Sequence, residues 1–263
     1  MLSSSRVLKE FATAERVIRP KAARDADRAR ADEIQRLRGS SNTSLSQRQQ
    51  AVANVLSAFG VKTSKAGSID ISFDSKVSDG RDKLFRDQID SMMPIMPEAF
   101  TRGTNSPRDV RIGAAPLKYN IKLGGGRAHA RNLGKDGTQL KVGKPNAQSV
   151  GWRSVLLHEM FHGVENSTPA VRHLQFLYWD KRRGGEKVKG MRSITGNTSY
   201  RGDEKGVKDA WGNKYAGKTY GGRGANSEIL TTGVQSVFFG DERADNEHIG
   251  FTLALLALST QLK

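Results

Sequence analysis

The apolar positions of this 263-residue chain change period along its length, and the changes mark out its elements. Over residues 46–60 (SQRQQAVANVLSAFG), Val52, Val55, Leu56 and Phe59 fall on one face of a 3.6-residue repeat. That predicts a short amphipathic helix with Ser46 as its N-cap and Gly60 as its stop. From 61 to 147 the repeat shortens to two. SIDISF (68–73), DVRIG (109–113) and LKYNIKL (117–123) predict strands, and TQLKV (138–142) predicts another after the turn signal KDG. Between the first two, RDKLFRDQIDSMMPIM (81–96) has a helical pattern that ends at Pro94. The glycines at 124–126 predict a plain turn, because no Lys-Ser/Thr helix start follows to make a phosphate cradle.

The final third predicts helices at 146–166, 169–183, 226–240 and 245–262, the second opening on Pro169 and closing before Gly184 and Gly185. Residues 184–226 hold 11 of the 28 glycines, which predicts a long excursion with little regular structure. At the other end, residues 1–38 read as helix broken at Pro20. The part at 21–38 is rich in Ala, Arg and acids but poor in apolar anchors, as in a helix that bridges solvent or lies against a partner. GSSNTSLS (39–46) has the composition of a flexible linker. The expected organisation is a helical, basic N-terminal extension over 1–60, with its linker near 39–46, followed by one α+β domain over 61–263. No internal repeat is visible.

Composition narrows the chemistry. With no cysteine, disulfides and thiolate metal sites are excluded, so any metal must be held by imidazole and carboxylate. No apolar run reaches 18 residues, and charges interrupt the first twenty positions, so neither a signal peptide nor a membrane span is expected. The net charge of +16 favours acidic partners, or nucleic acid bound non-specifically. No nucleic-acid fold motif accompanies it, and aromatics are not interleaved with the basic residues.

One motif carries chemistry. His158-Glu159-Met160-Phe161-His162 is H-E-x-x-H in an apolar helical run. Positions i and i+4 lie one turn apart on one helix face, so both imidazoles can reach a single ion. Glu159 stands about 100° round the helix, where its carboxylate can bond a water on that ion and take its proton without itself ligating. Two acids are candidates for the third ligand. Glu165, on the same face, is about 10.5 Å along the axis from His158. It can also serve as an acceptor that fixes a histidine tautomer. Glu228, at the start of a separate helix, closes a tetrahedral site better, although its position also suits the helix dipole. Tyr220, and after it Tyr215, are the candidate oxyanion donors in KYAGKTYGGRGANSE. His129, His173 and His248 have no partner at ligand spacing, and Trp152, Trp179 and Trp211 read as packing residues.

These residues resemble the zincin metallopeptidases, specifically the gluzincin arrangement in which a distant glutamate follows H-E-x-x-H. The order H-E-x-x-H-x-x-E-N, Tyr-Xaa-Gly-Lys-Thr-Tyr, S-E-x-L-x-x-G-x-Q and D-x-E-x-x-x-F is similar to zincin-like domains at the C-terminus of phage minor head proteins. It covers about residues 150–263. The resemblance implies a zincin-like α+β fold with a small sheet beside the H-E-x-x-H helix. It also implies Zn2+ on His158, His162 and Glu228, with Glu159 as general base. Glu165 and Thr168 stand where metzincins place a glycine and a third histidine, which argues against that branch. The expected function is zinc-dependent hydrolysis of a peptide bond in a protein substrate. The alternative is a virion assembly protein that uses the domain as a scaffold among other virion proteins. The location expected is a virion or the host cytoplasm.

Overall fold

The computed structural model describes residues 44–58, 60–103, 115–125, 127–133, 136–143, 150–208, 211–220, 227–240 and 244–259. The helices read over 1–38, the linker up to residue 43, Phe59 and the strand read at 109–113 lie outside the described residues. The architecture is mixed α+β.

The main sheet has four strands: β1 (Asp70–Phe73), β4 (Lys118–Leu123), β6 (Thr138–Val142) and β5 (His129–Asn132), in that spatial order. The first three run parallel and β5 closes one edge antiparallel, with Ala130 opposite Leu140 and Ile121 opposite Leu140 on the other side. Alternation sets the faces: Tyr119, Ile121, Leu140 and Val142 are buried while their neighbours are not. A minor pair, β2 (Arg102–Gly103) and β3 (Ala115–Pro116), stands apart.

Helix α1 (Leu45–Ala58) begins at a reciprocal cap: Gln47 N donates to Ser44 Oγ at 3.2 Å, and Ser44 N donates to Gln47 Oε1 at 2.8 Å. The cap is therefore Ser44, two residues before the expected Ser46, because Ser44 and Gln47 exchange both hydrogen bonds. Val52, Val55 and Leu56 of α1 join the same core as the sheet and the later helices. Helix α2 (Asp79–Met92) gives way to a 3-10 turn over Met93–Ile95, where Pro94 removes a donor.

Helix α3 (Val150–Ser167) lies against β5 and β6 and carries His158, Glu159 and His162. Its height on the sheet is set by one contact. Tyr119 Oη donates to Met160 O at 2.8 Å, and a Cβ on Gly163 would sit 2.4 Å from the Tyr119 ring. Only glycine lets the helix settle at that depth. Helix α4 (Pro169–Arg183) follows, then α5 (Met191–Thr195), α6 (Ile229–Phe239) and α7 (Asn246–Leu258). Every residue of α6 is buried, with α1, α3 and α7 against it. α6 and α7 approach closely at Gly233, where an added Cβ would lie 2.0 Å from Thr252 Oγ1 and 3.1 Å from His248 Nε2. Gly233→Ala is expected to cost about 1–3 kcal/mol by overpacking, read from urea unfolding of the metal-free protein.

The glycine-rich excursion is more regular than expected. Three antiparallel two-residue strands, β7 (Lys189–Gly190), β8 (Lys205–Gly206) and β9 (Lys218–Thr219), form a second sheet. Strands this short leave no period to read. The excursion is held by a second apolar cluster of Tyr178, Trp179, Val207, Trp211, Ala216 and Ile229. Trp179 Nε1 donates to Gly217 O at 3.0 Å, and Tyr178 stacks on Phe251 at 4.0 Å. Trp152 packs edge-on to Phe85 at 5.0 Å, so all three tryptophans are packing residues. No helix among the described residues is long and apolar enough to cross a membrane.

Candidate metal centre

α3 turns His158 and His162 toward α6, one helical turn apart, with ring centroids 4.9 Å apart. Glu228 faces them from the N-cap position of α6 and makes no side-chain capping bond there. Its capping work is done from elsewhere. Gln175 Oε1 on α4 accepts from Leu230 N at 2.9 Å and from Ser227 Oγ at 2.8 Å. His248 Nε2 donates to Ile229 O at 2.6 Å, and Thr232 Oγ1 donates to Glu228 O. The turn is thus fixed and the Glu228 carboxylate is left for the histidines.

Glu228 Oε2 lies 3.1 Å from His158 Nε2 and 3.3 Å from His162 Nε2, and all three residues are buried. Among the described residues His158, His162 and Glu228 are a group that could hold a metal ion, with ligand atoms within 4.8 Å of one another. Bonds of about 2.0–2.1 Å in tetrahedral geometry place ligand atoms about 3.3–3.4 Å apart, close to the spacing found.

The outer ring nitrogens are already engaged. His158 Nδ1 donates to Gln235 Oε1 at 2.8 Å, since an amide oxygen can only accept, and Gln235 Nε2 donates to Ser154 Oγ at 2.9 Å. His162 Nδ1 donates to Glu165 Oε2 at 2.7 Å. Both Nε2 atoms can therefore present lone pairs to a cation. Glu165, weighed as a third ligand from its spacing, instead sits behind His162 as the acceptor that sets its tautomer. Gln235 is a residue the sequence reading passed over. It lies seven positions after Glu228 and hence on the same face of α6, a spacing that could have disclosed it.

Electrostatics agree with a cation site. Burial works against charge on His162, yet Glu165 and Glu228 outweigh it and hold its pKa well above the ordinary imidazole value. Burial likewise opposes ionisation of Glu228, but the two histidines hold its carboxyl well below the usual range. A divalent cation would take the place of the proton shared among these groups. Glu159 is different: burial pushes its pKa up, with the histidines only partly countering. Its Oε2 is buried without a hydrogen-bond partner, and the residue lines the cleft beside the histidines.

That cleft measures about 1480 Å³ and runs between the start of β5 and the second sheet. It exceeds the roughly 300–1,000 Å³ of small-molecule sites. Both candidate tyrosines reach it. Tyr220 Oη donates to Glu228 Oε1 while its ring is 52% exposed. Tyr215 Oη accepts from Arg127 Nη2 at 3.1 Å, its ring 6.2 Å from that of His158. Desolvation of the hydroxyls and the nearby Glu228 charge raise both phenol pKa values, so both stay protonated donors. His129 opens β5 and also lines the cleft. His173 is exposed on α4, and His248 is buried. Lys218, buried beside Glu228, is the second residue that the sequence reading missed. No protein-family model matches the chain, and no curated protein or solved structure matches it either.

Proposed function

We propose that this chain is a zinc-dependent endopeptidase of zincin type, with His158, His162 and Glu228 as ligands and Glu159 as general base. One observation carries the reading. Buried Glu228 Oε2 lies 3.1 and 3.3 Å from the Nε2 atoms of His158 and His162, and both histidines line an open cleft with Glu159, whose buried Oε2 has no hydrogen-bond partner. Two imidazoles and one carboxylate, with no thiolate, form the donor set of catalytic zinc, which keeps a position open. Closed structural sites take four protein ligands, and the group has three among the described residues. A bound zinc ion would supply a Lewis acid that polarises the scissile carbonyl and acidifies water.

The chain's own groups complete the chemistry. Glu159 Oε2 takes the proton of the attacking water and returns it to the leaving amine. Gln235 and Glu165 keep the imidazoles in the ligating tautomer. On substrate binding the Tyr220 hydroxyl, with Tyr215 next to it, turns from Glu228 Oε1 to the oxygen on which charge develops, and Lys218 stays on Oε1. The volume of the cleft, about 1480 Å³, supports a polypeptide substrate in extended form. The net charge of +16 supports acidic partners, among them other virion proteins in the phage setting that the resemblance implies, and non-specific nucleic-acid contact is compatible with the same charge.

Metal analysis tests the assignment. Purified protein should carry one zinc per chain, lose it together with proteolysis of an unfolded protein substrate under chelation, and regain both on zinc addition. Protein that stays zinc-free in excess zinc would overturn the proposal.

A further inference from the structure

Lysine is almost never fully buried in a protein interior unless it is paired, yet Lys218 on β9 is 1% exposed. Its ammonium meets three acceptors: Tyr220 Oη at 2.7 Å, Glu204 Oε1 at 2.9 Å and Glu228 Oε1 at 3.4 Å. Three donors are thereby matched to three oxygens. The rings of Tyr220 and Tyr215 flank the charge at 4.2 and 5.1 Å. Behind it Glu204 is anchored by Arg127 at 2.8 Å and by the backbone N–H of Arg201 at 2.6 Å.

Clamping the fold is a weak reason for such a charge. A buried ion pair contributes little net stability relative to an apolar residue of the same size. β9 is already paired with β8, and the adjoining Gly217 carbonyl is held by Trp179. What Lys218 does, together with Tyr220, is divide the two oxygens of Glu228. Oε2 faces both histidine Nε2 atoms and accepts from Thr231 Oγ1 at 3.2 Å. Oε1 faces away, toward Lys218 and Tyr220.

We infer that Lys218 is a positioning residue that retains Glu228 Oε1, so that the carboxylate offers a metal Oε2 alone. The inference rests on the reading of His158, His162 and Glu228 as a metal site. A carboxylate free to turn would offer both oxygens and fill the coordination position that an open site needs. The lysine prevents that turn by hydrogen bonding and charge, from a base that Glu204 keeps still.

Cobalt(II) added to the metal-free full chain reports the difference, because four-coordinate cobalt absorbs visible light far more strongly than five- or six-coordinate cobalt. The wild type should give an intense four-coordinate spectrum. Lys218→Met, similar in length and uncharged, should lose intensity as Oε1 joins the metal. Tyr220→Phe removes the other donor to the same oxygen at a half-exposed ring that the fold tolerates. It should shift the spectrum the same way by less, and it decides alone if Lys218→Met does not fold. Variant spectra identical to the wild type would overturn the inference while leaving the metal site intact. A wild type that takes up no cobalt would overturn both.

Discussion

Glu159→Gln is expected to leave the metal in place and to lower peptide hydrolysis by about 10²- to 10⁴-fold, the span typical for loss of a positioned general base. The two halves of that result have separate structural causes. Metal retention follows because the converging ligand atoms belong to His158, His162 and Glu228, and Glu159 is not among them. The loss of turnover follows because glutamine has the shape of glutamate but no basic oxygen. Glu159 Oε2 is buried with no hydrogen-bond partner, so the substitution breaks no hydrogen bond at that oxygen. Burial also raises its pKa. That makes the carboxylate a stronger base than one in water, and activity should fall on the acid side as it takes up a proton. Parallel metal analysis and initial rates on one preparation check both halves. A variant that keeps its metal and wild-type rates would remove Glu159 from the chemistry.

How much of this centre could be read from the residue order depends on how each group is carried. His158 and His162 sit on one continuous helix, where a spacing of four translates directly into a shared face. Glu228 required a second step, since nothing in the order of residues says that α6 packs against α3. Its candidacy came from the reach of a tetrahedral site, and the structure brings it within 3.1 and 3.3 Å of the two imidazoles. The strands at 70–73, 118–123 and 138–142 were visible because alternation persists over four to six residues.

Lys218 and the second sheet were illegible for the opposite reason. β7, β8 and β9 have two residues each, too few to express a period, and they lie among glycines that signal irregular chain. A lysine in such a stretch looks like a solvated surface residue. Only the aromatic cluster around Trp179 and Trp211, which folds the excursion back over α6, puts it inside. Gln235 shares a helix face with Glu228, but a glutamine on a buried helix draws no notice until the histidine it holds is seen.

Acid is expected to destabilise the metal-free protein through His248, by up to about 3 kcal/mol between pH 6.5 and 4. The imidazole is buried under α6, where its Nε2–H donates to Ile229 O and its Nδ1 has no partner. Burial pushes its pKa down to about 4, against 6.5 for the ordinary side chain. Between those values the unfolded chain binds a proton that the folded chain refuses. Stability is therefore complete above pH 6.5, declines as the pH falls through this window, and changes no further from this group below 4. The proton would go to Nδ1 and leave the bond from Nε2–H to Ile229 O in place, so the cost is that of charging a buried ring beside the helix that presents Glu228. His248→Gln retains an N–H donor but cannot titrate. Denaturant unfolding at pH 7 and pH 5, with chelator present so that metal release does not contribute, should show a steeper loss in the wild type than in the variant. Equal slopes for the two proteins would show that His248 is not the acid-sensitive group.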